Sequence, residues 1–390
     1  MTLAVFLNTN SSLAGSDELG FGLDELRTVL RRSPALTQWH EFDASAQACA
    51  PSTMLTLAHS DQVLVILNPA AIVSDNMLEA MGAVLANFPH SCVMPADPRE
   101  AVAPWQIDYA SRIGFERYVQ RRQGLPASRP ASGLPPWIYL LNAQALRDVL
   151  AKSPALSWDT IPQAMPEPAC VAEHAFVHSY ADYQKSDRRE FLQLIPPEVK
   201  KLMDVGGGEG GFLRSFQAQR SAQVLLVEPN TASSEVARRN GIAVFNGRFE
   251  ALDPQTTDLF DCISFLDVLE HFENPLAALR HARDLLRPQG YVALSIPNVG
   301  HWSVVQSLLH GRFDYLPVGI LCCTHLRFFT ERSLRQMLAN ANFEIRVWHA
   351  QQSPMPADFA QALGVQSGQT PPWDLDSMNT DSFHVLASKR

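Results

Sequence analysis

Paired cysteines, surplus basic charge and long apolar runs are what this chain of 390 residues lacks, and each shortage closes off a class of protein. The six cysteines, at 49, 92, 170, 262, 322 and 323, contain no C-x-x-C spacing. That argues against a disulfide framework and for reduced thiols in a reducing compartment. Lys and Arg number 31 against 40 Asp and Glu, a formal charge of −9. The deficit is shared, with 11 basic to 17 acidic side chains over residues 1–180 and 20 to 23 over 181–390. Neither half suits a polyanion, so Arg121-Arg122 and Arg238-Arg239 read as solvated helix faces and no nucleic-acid partner is expected. No apolar run reaches membrane length, and Met1–Asn10 has neither a basic lead nor a cleavage site; the expected location is the cytoplasm, without a membrane partner. The 46% hydrophobic content is enough to core about two domains.

What is present is concentrated in one run, Leu202-Met203-Asp204-Val205-Gly206-Gly207-Gly208-Glu209-Gly210-Gly211-Phe212. An apolar strand, a glycine loop and a helix start follow one another directly. Gly206, Gly208 and Gly210 let the backbone turn and approach a ligand, and the helix opening near Phe212 offers unpaired N–H groups. The spacing is D-x-G-x-G-x-G rather than the G-x-G-x-x-G of a dinucleotide site, and an acid at Asp204 suits a cationic ligand better than a phosphate. The next predicted strand, Gln223–Val227, ends in Glu228, placed to take both hydroxyls of a ribose. Strands at 243–245, 260–266 and 291–296 and a helix from Pro275 to Leu286, with Asn274 as its N-cap, continue the β/α alternation.

Five motifs in this order, namely Asp204–Gly210, Val227-Glu228-Pro229, Phe260–His271, Leu286–Tyr291 and Thr324–Thr330, resemble the class I S-adenosylmethionine-dependent methyltransferases. The branch is the one that includes ubiquinone-pathway O-methyltransferases and sugar- and natural-product-pathway enzymes, and the resemblance covers roughly residues 178–390. It implies a seven-stranded Rossmann-like domain over 171–390 that binds S-adenosylmethionine. Gly206, Gly207, Gly208 and Gly210 would pass beneath the amino-acid end of the cofactor, Asp204 would orient its ammonium, and Glu228 and Pro229 would border the ribose. The turn Asn246-Gly247-Arg248-Phe249, after the third strand, would flank the adenine with an amide and an aromatic face, the alternative being an ordinary surface turn.

Methyl transfer from a sulfonium asks the protein to align acceptor, methyl and sulfur and to help the acceptor lose a proton. Candidates belong beyond strands 4 and 5, where the chain supplies Asp267, Glu270, His271, His301, His310 and His325. Asp267 also stands within reach of the cofactor in this reading. His325, with His271, is the candidate general base, the alternative for His325 being a hydrogen bond that ties down its loop. Asp267, Glu270, His271 and His325 together resemble the hard-cation site of ubiquinone-pathway and small-RNA 2′-O-methyltransferases, which implies Mg²⁺; the alternative is a Leu-Glu-His triplet that merely closes the strand-4 turn. The insertion 297–323 mixes His301, Trp302, Phe313 and Tyr315 with Arg312 and is the expected acceptor pocket, for a sugar or a ring bearing an anionic group.

Residues 1–170 read as a second, smaller α/β domain: strands at 3–7 and 63–67, a helix from Asn76 to Phe88 with Met77, Leu78, Met81, Val84, Leu85 and Phe88 on one face, and a short strand near Cys92. Eight prolines between Pro126 and Pro168 suggest irregular chain and a linker ending near Glu173. Asp61–Ser74 resembles the donor-site strand of family-2 glycosyltransferases of the GT-A fold, but Asn68-Pro69-Ala70 stands where that family places metal-binding aspartates. A degenerate domain is implied, docking an acceptor, carrying a pathway partner or self-associating, with live glycosyl transfer as the alternative.

Overall fold

The computed structural model describes residues 1–9, 17–97, 111–131, 137–180, 186–255, 257–365 and 373–390. The chain divides into two compact units, Met1–Ala181 with Leu316–Val318 and Asp182–Tyr315 with Gly319–Arg390. Among the described residues no helix is long and apolar enough to cross a membrane.

The first unit is built on a mixed sheet. Its strands are β1 (Leu3–Asn8), β2 (Leu36–Phe42), β3 (Gln62–Ile66), β4 (Ala71–Val73), β5 (Val93–Ala96), β6 (Ser128–Pro130), β7 (Ile138–Asn142) and β8 (Cys170–Ser179). They run in the order β2-β1-β3-β7-β5-β8-β4, with β6 paired to β8. The proline-rich stretch is therefore not a linker. β7 lies in the middle of the sheet, buried on both faces, because Ile138-Tyr139-Leu140-Leu141 is an apolar run without proline. β8 crosses residue 170, so the first unit extends to 181. The helix Met77–Asn87 buries Met77, Met81, Val84 and Leu85 as its spacing requires, whereas Phe88 is the C-cap residue and points into solvent.

The second unit contains β9 (Lys201–Val205), β10 (Gln223–Val227), β11 (Val244–Phe245), β12 (Phe260–Leu266), β13 (Leu286–Pro297), β14 (Phe343–Gln352) and β15 (Thr380–Lys389). The sheet order is β11-β10-β9-β12-β13-β15-β14, and β15 runs against the other six strands. The chain lays β10 and β11 on one side of β9 and then returns to lay β12 and β13 on the other. The reversal opens a crevice beyond the carboxyl ends of β9 and β12, which is where a doubly wound sheet receives its ligand. Burial on both faces explains the near-continuous apolar character of the central strands. Leu202, Cys262 and Ala293 pack with Phe191, Phe212 and Phe216 on one face, and Met203, Ile263 and Leu294 with the helices Pro275–Leu285 and Glu331–Asn340 on the other. Both helices start where the sequence says: the Asn274 side chain accepts from Ala277 N–H, and Thr330 with Ser333 forms a reciprocal cap.

Candidate active site at the carboxyl edge of the second sheet

The loop after β9 turns through three glycines with positive φ, Gly206 (69°), Gly208 (56°) and Gly210 (75°), the last serving as N-cap of the helix Gly211–Gln219. At Gly206 a Cβ would also come within 2.8 Å of Val268 in the loop after β12, so the two loops meet backbone to side chain. Gly207 has an ordinary φ, but a Cβ there would collide with Oδ2 of Asp204 and lie 3.0 Å from its Cγ. The acid beneath the turn and the bare backbone above it are thus mutually required. Asp204 is buried, and its Oδ1 accepts from Ser264 Oγ at 2.6 Å. Burial pushes its pKa up to about 7, opposed by the Ser264 hydrogen bond and the charge of Arg188.

Glu228, at the end of β10, ties the two halves of the crevice together. One carboxylate oxygen accepts from Gly208 N–H at 3.0 Å and the other from Asn230 N–H at 2.8 Å. Each oxygen retains a further lone pair for a diol. Asn246 braces this turn by donating to the Glu228 carbonyl at 2.9 Å and to Ser234 Oγ at 3.1 Å. With its amide spent there, Asn246 does not read an adenine, and the aromatic face expected beside it is not free either. Arg248 is exposed, but Phe249 lies in the core edge-on to Phe265 and near His281, so its face is spent on packing. Phe212 is likewise a core side chain and offers only its backbone.

Asp267 has a positive φ of 56° and is engaged on both sides: Ser295 Oγ donates to one oxygen, and the Arg188 guanidinium meets the other at 2.5 Å. Arg188 and Ser295 hold its carboxyl below the usual carboxylate range. Arg188 is the site residue that sequence reasoning missed. Nothing in Ser186-Asp187-Arg188-Arg189 distinguishes it; only the folded chain brings it over the crevice, also within electrostatic range of Asp204. Asp267 consequently departs from the predicted cation set. The other three members do come together, with one ligand atom each from Glu270, His271 and His325 lying within 4.8 Å of one another. Both Glu270 oxygens are buried with no hydrogen-bond partner among the described residues, and burial raises its pKa well above that of an ordinary glutamate. His325 Nδ1 sits 2.9 Å from the Ile320 carbonyl, so that nitrogen carries the proton, and Nε2 lies 3.8 Å from Glu270. Burial, then the neighbouring His271, lowers the His325 pKa to about 4. As a lone general base it is weak, which counts against the role expected of it. His271 is half-buried, with Nδ1 3.2 Å from the Thr324 carbonyl and its ring edge-on to His325 at 4.7 Å.

The insertion divides. His301 and Trp302 are fully buried rather than pocket-lining: His301 Nδ1 bonds Ser303 Oγ at 2.9 Å, and Trp302 packs on Phe359 and Met378 while its indole donates to the Ser353 carbonyl. Their place at the start of the helix Trp302–Leu309 turns them inward. Arg312 is paired with Asp314, whereas Phe313 and Tyr315 remain partly exposed. Phe313 also stands against Phe328, which in turn neighbours His325, so aromatic surface leads from the insertion to the histidines.

Residues 177–347 match the family model described as a methyltransferase domain. Over 132 residues the chain is 31% identical to the ubiquinone biosynthesis O-methyltransferase of Stutzerimonas stutzeri, covering 30% of this chain and 56% of that protein. Over 155 residues it is 32% identical to the enzyme of the same name from Idiomarina loihiensis, covering 37% and 62%. The chain thus spans little more than half the length of these relatives. Among solved structures, it is similar to an S-adenosylmethionine-dependent methyltransferase from Archaeoglobus fulgidus at 14% identity and a TM-score of 0.39, covering 54% of this chain and 98% of that one. With the matched family model and the sheet order above, the second unit is a class I S-adenosylmethionine-dependent methyltransferase domain.

Proposed function

We propose that this protein transfers the methyl group of S-adenosylmethionine to an oxygen of a small-molecule acceptor. The observation that carries the reading is the buried Asp204 beneath three positive-φ glycines, with Glu228 hydrogen-bonded across to Gly208: a cation-seeking acid and a diol-seeking acid at opposite ends of one crevice. The names of the relatives support oxygen as the acceptor atom. Phe313 and Tyr315 favour a ring with an apolar face, of a sugar or secondary metabolite, over a charged acceptor, since Arg312 already has its carboxylate. His271, nearer to solvent than His325, is the better group to take the acceptor proton, with His325 and Glu270 behind it.

In a second reading Glu270, His271 and His325 hold a divalent cation, with His271 a ligand instead of the base, because orphaned buried carboxylate oxygens require a partner. Two imidazoles and one carboxylate suit zinc or manganese better than the Mg²⁺ that the sequence motif implies. The first unit, where Asn68 spends its side chain on Ala70 N–H instead of a metal, serves as an accessory binding or self-association domain in this proposal.

Calorimetry with S-adenosylmethionine and its demethylated product tests the core of the reading; micromolar binding lost in Asp204→Ala is expected, and no heat at any pH refutes it. Once an acceptor is identified, from a metabolite lighter by one methyl in cells lacking the protein, His325→Ala and His271→Ala should keep cofactor affinity and lower turnover at least about tenfold. Turnover that survives exhaustive chelation excludes the metal.

A further inference from the structure

The acid at the end of β9 is held by a side chain that no motif singles out. Ser264, in the middle of β12, sits in register opposite Asp204 and is completely buried. Its hydroxyl has two acceptors within reach, Asp204 Oδ1 at 2.6 Å and the Met203 carbonyl at 3.2 Å. That arrangement serves both protonation states of the acid. When Asp204 is ionised, the hydroxyl donates to it, and the bond is charge-assisted and strong. When Asp204 is protonated, the carboxyl donates to Ser264 Oγ and the hydroxyl hydrogen turns to Met203, giving two ordinary bonds. The 2.6 Å separation fits the charge-assisted form, and this bond opposes the upward pull of burial on the acid.

We propose that Ser264 is a positioning residue that keeps Asp204 ionised, and aimed beneath the glycine turn, for the ammonium group of the cofactor. The inference rests on the reading of this crevice as an S-adenosylmethionine site. Among the described residues, Ser264 is the side chain that hydrogen-bonds the acid. Asp204 Oδ2 faces the backbone of Gly207, and the remaining charged or titratable groups that reach the acid are Arg188, Glu228 and the Cys262 thiol. Arg188 is ion-paired to Asp267 and reaches Asp204 only through its charge, Glu228 opposes the ion, and the Cys262 thiol, its own pKa pushed up by burial and by Asp204, stays neutral. Without Ser264, Oδ1 would be a buried oxygen with nothing to accept from, and protonation would be its cheapest escape.

The test compares wild type with Ser264→Ala, Ser264→Thr and Asp204→Asn, using two readouts. In the first, S-adenosylmethionine affinity is measured by calorimetry across pH 6–9; ratios between proteins cancel the titration of the cofactor's own amine. Removing the hydroxyl should move the Asp204 midpoint upward by about one pH unit, so that affinity falls roughly fivefold at pH 7 and hardly at pH 9. Ser264→Thr should follow wild type, and Asp204→Asn should bind weakly at every pH. The second readout is the melting temperature of the empty full-length protein against pH. A buried acid with a raised pKa stabilises the fold below its unfolded pKa and loses that contribution as pH rises through the folded value. The loss should extend about one pH unit further in Ser264→Ala and be absent in Asp204→Asn. An unmoved midpoint in Ser264→Ala overturns the proposal. Because the melting curve needs no cofactor, absence of S-adenosylmethionine binding with a shifted melting midpoint would instead overturn the functional reading and leave the role of Ser264 standing.

Discussion

Gly207→Ala is the sharpest single test of how the loop and its acid depend on each other. The residue has an ordinary φ, so alanine brings no backbone strain, and the whole effect comes from one methyl group. That methyl would be driven into Asp204 Oδ2, 3.0 Å from Asp204 Cγ and 3.0 Å from Leu226 Cδ1. The carboxylate cannot simply swing aside, because Ser264 holds its other oxygen at 2.6 Å. Overpacking of this kind costs about 1–3 kcal/mol. Breaking the hydrogen bond to a charged buried group adds about 1.5–3 kcal/mol. A combined loss of about 2.5–6 kcal/mol in a domain of roughly 200 residues lowers Tm by about 5–24 °C. Differential scanning fluorimetry reads this, and calorimetry should show S-adenosylmethionine affinity reduced at least about tenfold, since the displaced acid no longer faces the ammonium. Gly241→Ala is the matched control: its φ is +82° and its Cβ direction is open, so strain alone applies, about 1–2 kcal/mol. If Gly207→Ala melts within about 2 °C of wild type and binds the cofactor normally, the steric argument fails and the acid is not locked beneath the turn.

Three further outcomes follow from named contacts. Arg188→Gln removes the guanidinium from Asp267, whose pKa is depressed in the folded protein; that contribution is present above the unfolded pKa and lost as pH falls through the folded value. The variant should be about 1–3 kcal/mol less stable at pH 7, with the gap closing below about pH 4, and a constant gap in urea titrations at both pH values would contradict the ion pair. Phe249→Ala should cost about 3–5 kcal/mol of stability, since the ring is core rather than adenine platform, and a loss of affinity without a loss of stability would restore the binding role. Gly82→Ala, within the helix Met77–Asn87 and facing open space, should stabilise the first unit by about 0.5–1 kcal/mol in thermal melts; destabilisation would mean the site is not open.

The secondary structure of the second unit could be read closely from its residues, because its strands are apolar runs bounded by glycine, acid or asparagine and its helices carry their own caps. Gln223–Val227 and Phe260–Leu266 match to the residue. Errors arose where composition stood in for pairing. Prolines around β7 and β8 suggested a linker, yet proline limits only the residues it occupies, and the strands run between them. His301, Trp302 and Phe249 looked like ligand-facing groups by residue type, but type does not fix direction: a half-turn of helix or the sense of one strand end decides whether a ring meets a ligand or a core.

Local chemistry therefore determined the glycine turn, the acids at 204 and 228 and the order of strands and helices along the chain, since each depends on neighbours a few residues away. Only tertiary structure decided that Arg188 covers Asp267, that Ser264 holds Asp204 across 60 residues of chain, and that Glu270 meets His325 while Asp267 does not. Such pairings bring together groups distant in sequence, and burial then sets which of them stays charged. Neither distance nor burial is written in the order of the residues until the sheet has formed.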